Sequence, residues 1–579
     1  MTIIKISNFS FIPPWSEEPI LKNINLEIEQ GEMIVILGDA KSGNRYLIQA
    51  LNGIVPRETG GKVKGEIIVD GLDVSKTPIE KISEHLVVLL PDPAVQVVAP
   101  TVESDVAFGP ANLGLSTEEI QERTKYALRV ARLEGFEKRN PRTLSGGECQ
   151  SLVIAGLIAM KPKIIAMIDP VAMLDPIGKE RIYQVIRSLN KEYGMTVIVS
   201  ESGMNVEPLF EIASRVIVMH KGEIITEGAP EEIVKNELAR KLGIPQISEL
   251  FLRIREYDPS LPVPVKLEDA VKYIKERYKD KRLTIEKAKR QKIWMIKDKC
   301  RRKPIIHIKN LHHIYPGHPP VHALNGVSLD IYPGEFVGII GQNGSGKTTL
   351  ALHLVGILKP TNPDCEILVD GVDPREVSTR EIIRHINYVF QNPSRQFFSL
   401  TVKDELAFGL KNLGYPQEEI EKLSRESLRY FGVEEYYDWY VPHLPRDVIT
   451  YVAEAAIAAM NPKILIVDEP TGGLDTEGAL KMMESLVRLN KAGKTIIIIT
   501  HDMKVIAQYV TRVIVIHQGK IFLDGTPREV FSKRDLLKSI WLKPPQITEF
   551  CQELRDMGFP DDVLSIDEAY NLFREFLRG

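Results

Sequence analysis

A duplicated α/β fold, in which each copy is a mostly parallel sheet flanked by helices and followed by a small helical extension, is predicted by two features of the sequence. First, the chain repeats itself. Leu26-Glu27-Ile28 and Gly31-Glu32 recur as Leu329-Asp330-Ile331 and Gly334-Glu335 at an offset of 303, and Val69-Asp70-Gly71 and Leu174-Asp175 recur as Val369-Asp370-Gly371 and Leu474-Asp475 at an offset of 300. Second, within each half short β-branched runs, such as Met33 to Leu37 and Thr196 to Val199, alternate with helical stretches. That alternation is the signature of a parallel sheet with covering helices.

The remaining composition bounds the reading. At 579 residues the chain exceeds what one core organises, so at least two domains are expected. Hydrophobic residues at 44% and charged residues at 26% are ordinary for a globular chain, and a net charge of −4 supplies no global field that would recruit nucleic acid. Cys149, Cys300, Cys365 and Cys551 show no paired spacing, which argues against a zinc site or a disulfide framework. The N-terminus reads as a strand and not as a signal peptide, and no apolar run approaches the roughly 20 residues that cross a bilayer, so a link to a membrane requires a partner. Helical tails are expected over roughly 231–275 and 528–579. Between the halves, Lys275 to Lys303 is rich in Lys and Arg: a solvated helical linker, or a basic surface near anionic headgroups.

The second half carries phosphate chemistry. Gly341-Gln342-Asn343-Gly344-Ser345-Gly346-Lys347-Thr348 fits the phosphate-binding loop pattern, follows the apolar run Phe336 to Ile340, and opens a helix at Thr349. Glycines let backbone N–H groups curl around phosphate oxygens, Lys347 reaches the terminal phosphates, and the Thr348 hydroxyl can ligate magnesium. The apolar run Ile464 to Val467 ends in Asp468-Glu469, two carboxylates at the strand end where open α/β sheets bind ligands. Asp468 is suited to hold Mg2+ and Glu469 to polarise an attacking water.

With these residues in register, the second half resembles the nucleotide-binding domain of ABC transporters. The resemblance implies ATP with Mg2+ as ligand, Gln391 as the glutamine that senses magnesium and the membrane subunit, His501 as the histidine on the γ-phosphate, Asp475 as the D-loop, and Tyr315 as the aromatic ring on adenine. The predicted fold class is thus two P-loop NTPase cassettes of ABC type in tandem. The expected domains are a first cassette over 1–235, a helical extension and basic linker over 236–303, a second cassette over 304–530 and a C-terminal extension over 531–579.

The first half departs from the pattern. Its loop reads Gly38-Asp39-Ala40-Lys41-Ser42-Gly43-Asn44-Arg45, which puts Asn44 in place of the lysine and Arg45 in place of the hydroxyl. Pro91 stands at the glutamine position, Ile168 at the magnesium carboxylate, Asp169 at the catalytic glutamate and Glu201 at the histidine. Lys41 or Arg45 leaves an occupied but inert site open. Yet this half keeps Leu144-Ser145-Gly146-Gly147-Glu148, close to the ABC signature, where the second half reads Leu444-Pro445-Arg446-Asp447-Val448. In the family, cassettes pack head to tail with each ATP between the loop of one and the signature of the other. The resemblance therefore implies one working composite site that joins Lys347, Thr348, Gln391, Asp468, Glu469 and His501 to Ser145, Gly146, Gly147 and Asp175. The expected pairing is within the chain or between chains.

Segments Ala99 to Gly114 and Leu400 to Gly414 resemble the ATPases of energy-coupling-factor importers, as do Gly243-Ile244-Pro245-Gln246-Ile247-Ser248 and Lys543-Pro544-Pro545-Gln546-Ile547-Thr548. This implies an ATP-hydrolysing subunit at the cytoplasmic face of the cell membrane, partnered by a transmembrane transporter subunit and a substrate-binding membrane subunit, with no nucleic acid. The acidic residues such ATPases often carry after Asn-Pro are replaced here, in Pro393-Ser394-Arg395-Gln396 and Pro93-Ala94-Val95-Gln96. The alternative is a soluble twin-cassette ABC ATPase acting on ribosomes or nucleic acid.

Overall fold

The computed structural model describes all residues except 173, 284–302, 318–319, 394–395 and 579. The core of the basic run, Cys300 and the pair Ser394-Arg395 therefore lie outside the described residues. The chain divides into two units, Met1–Ile274 and Lys275–Gly579.

In the first unit a six-stranded sheet has the order Glu223–Gly228, Arg215–His220, Met33–Gly38, Thr196–Glu201, Ile164–Ile168, Leu86–Leu89. Its inner pairings are parallel, and only the outer pair Arg215–His220 with Glu223–Gly228 is antiparallel. Every residue of Met33–Gly38, Ile164–Ile168 and Thr196–Glu201 is buried, as expected where helices cover both faces of a parallel sheet. A second, antiparallel sheet of Leu21–Glu29, Thr2–Ile12, Lys62–Val69 and Leu72–Asp73 closes over this core. Its strand Leu21–Glu29 alternates buried and exposed residues, the pattern of a sheet packed on one face only.

The second unit repeats the plan. Its six-stranded sheet runs Ile386–Val389, Ile464–Asp468, Thr495–Ile499, Phe336–Ile340, Arg512–His517, Lys520–Gly525, beside a three-stranded sheet of Val321–Ile331, Ile306–Tyr315 and Glu366–Val369. Phe336–Ile340 lies between Thr495–Ile499 and Arg512–His517, where chain order reverses across the sheet. At such a switch point a crevice opens beyond the carboxyl ends of the strands. The carboxyl ends of Phe336–Ile340, Ile464–Asp468 and Thr495–Ile499 therefore face one place.

The repeat extends to small polar devices. Asp70 accepts from His85 at 2.5 Å and Lys163 at 2.7 Å, and Asp370 accepts from His385 and Lys463, both at 2.6 Å. Left-handed non-glycine residues also recur in pairs: Asn8 and Asn310, Asp70 and Asp370, Lys161 and Asn461, Asp169 and Glu469.

Each unit carries a helical layer: Val102–Asn112, Thr117–Val130 and Gly146–Ala159 in the first, Val402–Leu413, Gln417–Phe431 and Arg446–Ala459 in the second. A loop before each layer is held by one buried carboxylate. Asp105 accepts from the backbone N–H groups of Val98 and Ala99, both at 2.8 Å, and Glu405 accepts from those of Phe398 and Ser399 at 3.0 and 2.9 Å. The tails share a bond as well: the hydroxyl of Ser248 donates to the Pro264 carbonyl, and that of Thr548 to the Val563 carbonyl. In the second tail Phe550, Phe559, Phe573 and Phe576 pack ring against ring. Among the described residues no helix is long and apolar enough to cross a membrane.

One core residue opposes folding. Glu454, on Arg446–Ala459, is fully buried, neither of its carboxyl oxygens has a hydrogen-bond partner, and burial raises its pKa well above the ordinary value. Ile154 occupies its place in the first unit. The folded chain keeps a proton here that the unfolded chain, titrating near about 4.3, releases. Stability is therefore full below that pH and is lost as pH rises toward the raised folded value. Glu454→Ile is expected to stabilise the protein by about 1–3 kcal/mol near pH 8 and by less near pH 5, read from apparent thermal midpoints at the two pH values. A gain independent of pH, or a loss, contradicts this.

Candidate functional site: the two phosphate loops

In the second unit the loop between Phe336–Ile340 and the helix Lys347–Leu354 has a backbone set by glycine. Gly346 is left-handed at φ 107°, and a Cβ there would lie 2.4 Å from the Ala323 carbonyl oxygen. Gly344 is also left-handed, at φ 73°. These turns curl the backbone of Asn343, Gly344, Ser345 and Gly346 around the helix start, the form in which successive N–H groups bind an anion. Lys347 is buried and its Nζ donates to the carbonyls of Gly341 and Gln342, both at 2.8 Å, so its ammonium lies across the mouth of the loop.

Thr348 faces the end of Ile464–Asp468, and its hydroxyl donates to Asp468 Oδ2 at 3.0 Å. The same oxygen accepts from the Tyr388 hydroxyl at 2.6 Å. Burial pushes the Asp468 carboxyl up from its ordinary value, while the two hydroxyl donors and the Lys347 charge pull it down. Burial and the adjacent Asp468 charge push the Tyr388 phenol upward, so it stays protonated and able to donate. Glu469 follows in a left-handed conformation at φ 55°, which costs an ordinary residue about 1–2 kcal/mol. Its Oε2 accepts from Thr500 Oγ1 at 3.0 Å, and its Oε1 lies 3.5 Å from His501 Nε2. His501 Nε2 is also 3.2 Å from Asn343 Oδ1, which ties the strand-end histidine to the phosphate loop.

Lys347, Thr348, Asp468, Glu469, His501 and Asn343 are thus gathered at one crevice. The Tyr315 hydroxyl reaches Thr349 Oγ1 at 3.2 Å and its ring stays partly exposed at the rim. Gln391 is exposed, and among the described residues no hydrogen bond joins it to Thr348 or Asp468. A hydroxyl and a carboxylate under a buried lysine are hard oxygen donors of the kind magnesium takes alongside phosphate oxygens. Among the described residues there is no cluster of three or more His, Cys, Asp or Glu side chains of the sort zinc prefers.

The first unit keeps the loop shape and changes its chemistry. Gly43 is left-handed at φ 84°, like Gly346. Lys41, in place of Gly344, is not left-handed. Asn44 Nδ2 reaches the Gly38 carbonyl at 3.4 Å, a weak neutral counterpart of the Lys347 bond. The Arg45 guanidinium lies 3.4 Å from Asp169 Oδ2, so a fixed positive charge stands where Thr348 does in the second unit. Asp39 in the loop lies 3.1 Å from His220 Nδ1 and adds negative charge where phosphates would bind. Ile168 is fully buried and offers no ligand. Glu201, also buried, is pushed up to about 7 by burial and by the neighbouring Asp169 charge.

The signature residues have local duties. Ser145 is the N-cap of Gly146–Ala159, with its side chain accepting from the Glu148 N–H at 3.3 Å and Glu148 Oε2 accepting from the Ser145 N–H at 2.8 Å. Pro445 leaves the equivalent helix Arg446–Ala459 without a side-chain cap. Ser145 and Gly146 are exposed, whereas Gly147 is buried and a Cβ there would sit 2.8 Å from Gly178 Cα. Asp175 and Asp475 each cap a helix, accepting from the N–H of Gly178 and Gly478 at 2.8 Å.

Comparison with known proteins places these loops in a family. The profile of the family described as ABC transporter matches residues 21–172 and again 324–472. Two relatives carry the provisional description ABC transporter ATP-binding protein. The one from Caldanaerobacter subterraneus subsp. tengcongensis is 37% identical over 544 residues, covering 92% of this chain and 93% of the relative. The one from Methanosarcina acetivorans is 35% identical over 566 residues, covering 96% and 91%. Among solved structures, cbiO1 from Clostridium perfringens, described as part of the ABC transporter complex cbiONQ, is 36% identical. It spans 41% of this chain and 94% of its own, with a TM-score of 0.36.

The contrast between the loops has a direct consequence. Lys347→Ala is expected to lower ATP turnover by the full chain at least ~100-fold, the scale of losing a charged donor aimed at a transferring group. Asn44→Ala is expected to leave it within about twofold. Phosphate release under saturating ATP reads both, and equal losses contradict the asymmetry.

Proposed function

Since the chain belongs to the ABC transporter ATP-binding family and is an ATPase of that type, we propose that it hydrolyses ATP at one composite site and thereby energises an importer of the energy-coupling-factor type. The observation that carries the reading is the complementary pattern of loss. The second unit keeps Lys347, Thr348, Asp468, Glu469 and His501 and has lost its signature, whereas the first keeps Ser145, Gly146 and Gly147 and has lost its phosphate chemistry. Decay of one half alone would take both features of that half. The pattern argues for one working site that draws its loop from one half and its signature from the other.

In this reading residues 1–235 and 304–530 are the cassettes, joined by 236–303 and followed by the extension 531–579. The backbone N–H groups of Gly341, Gly344, Ser345 and Gly346 cradle the phosphates, Lys347 neutralises the terminal ones, and Thr349 and Tyr315 border the nucleotide. Thr348, Asp468 and Gln391 hold Mg2+, which supplies charge neutralisation of the triphosphate when bound. Glu469 accepts a proton from the attacking water, and His501, oriented by Asn343 and Glu469, donates to the γ-phosphate. Ser145 and the N–H groups of Gly146 and Gly147 complete the site from the opposing cassette, where a helix N-terminus favours the anion. The Arg45–Asp169 pair and the Glu201 carboxyl leave the other loop inert.

The importer assignment rests on Ala99 to Gly114, Leu400 to Gly414 and the two tail segments. Exposed apolar side chains in the segment that follows Gln391 support a partner there: Phe398, 80% exposed, stacks on Phe408 at 5.7 Å, and Leu400 is 72% exposed. Glu405 fixes the backbone that presents Phe398 to solvent. Apolar area of this kind suits a cytoplasmic helix of a transmembrane subunit. The chain then works at the cytoplasmic membrane face, and solute selectivity resides in a substrate-binding membrane subunit. Affinity isolation of the full chain from detergent-solubilised native membranes is expected to bring down a multi-spanning membrane protein, and Phe398→Glu with Phe408→Glu to reduce its yield at least about fivefold. A chain that captures no membrane protein, or whose capture ignores both substitutions, contradicts the reading.

A further inference from the structure

One side chain at the catalytic crevice comes from outside the phosphate loop and the strand-end acids. Tyr388, on Ile386–Val389, is buried, and its hydroxyl donates to Asp468 Oδ2 at 2.6 Å. A buried phenol must place its hydroxyl on a partner, and here the partner is a carboxylate itself almost wholly buried. Asp468 Oδ2 accepts from Thr348 as well, at 3.0 Å. Two hydroxyls therefore converge on one oxygen, and only one of them belongs to the loop that holds nucleotide.

The duplication supplies an internal comparison. In the first unit the strand Leu86–Leu89 carries Val88 where the second carries Tyr388, Ile168 where it carries Asp468, and Arg45 where it carries Thr348. The phenol is present where the carboxylate is present and absent where it is absent. A tyrosine kept only to fill volume would have no reason to follow the acid.

We propose that Tyr388 is a positioning residue for the ATPase reaction, holding the Asp468 carboxylate, together with the Thr348 hydroxyl, in the orientation that would serve the magnesium of bound ATP. This rests on reading Thr348 and Asp468 as the magnesium-holding pair. A carboxylate with a single hydrogen-bond donor can turn about that bond. A second donor on a different element keeps it fixed, and partners of this kind set metal affinity by about 10–100-fold.

The test uses the full chain carrying Glu469→Gln, so that ATP binding is read without turnover. Isothermal calorimetry measures ATP affinity with magnesium and with EDTA, in this background and with Tyr388→Phe or Asp468→Asn added. Tyr388→Phe keeps the ring and removes the hydroxyl. It is expected to weaken binding of ATP with magnesium about tenfold while metal-free ATP binds within about twofold of the parent. A loss equal in both conditions marks a structural role, and no loss in either marks none; each overturns the proposal. If Asp468→Asn itself leaves the magnesium dependence unchanged, the metal assignment fails first and Tyr388 falls with it.

Discussion

A carboxylate buried at the end of a strand must find compensation, and the second unit is organised around how Asp468 finds it. Removing a charge from water costs several kcal/mol unless hydrogen bonds and opposite charge replace the lost solvation. Asp468 gains Thr348 from the phosphate loop, Tyr388 from the neighbouring strand and the Lys347 charge from across the loop. The phosphate loop and the neighbouring strand are thereby tied to one oxygen. The parallel order brings the carboxyl ends of these strands together, so the fold and the electrostatic problem have the same address.

The first unit solves the same geometry with other charges. Its loop still turns through a left-handed glycine, and Asp169 still sits in the strained conformation that Glu469 adopts. The two units share backbone shape and differ in side-chain chemistry. With Ile168 replacing the carboxylate no metal is called for, and the Arg45 guanidinium pairs with Asp169 to give a self-neutralised cluster. Glu201, buried beside it, accepts from the Asn205 N–H at 3.2 Å, where the second unit has a histidine. The helix that begins at Ser145 has its side-chain cap and its tight glycine packing, so in this unit the signature is intact where the loop chemistry differs.

Much of this was legible in the residues. The phosphate loop, the two strand-end acids and the duplication are patterns of spacing, and strands such as Phe336–Ile340 match their apolar runs residue for residue. Tyr388 was not legible, because a tyrosine in a buried strand looks like core until its hydroxyl is seen on Asp468. Asp105 and Glu405 sat inside segments recognised by resemblance, yet their task of holding loop amides depends on backbone geometry that spacing does not carry. Two further differences between the halves carry signal: Val88 against Tyr388, and Ile154 against the partnerless Glu454. Ser145, Gly147 and Asp175 were read for ligand binding alone, and the fold also uses them as helix cap, packing contact and helix cap.

The proposed function requires the signature of the first half to complete the nucleotide site of the second. The most direct measurement is ATP turnover by the full chain with an arginine introduced at each signature. Losing the Ser145 cap costs only about 1 kcal/mol of stability, so folding survives the test. Ser145→Arg should lower turnover at least ~100-fold, and Pro445→Arg should leave it within about twofold. Turnover that survives Ser145→Arg and is lost in Pro445→Arg would contradict the account.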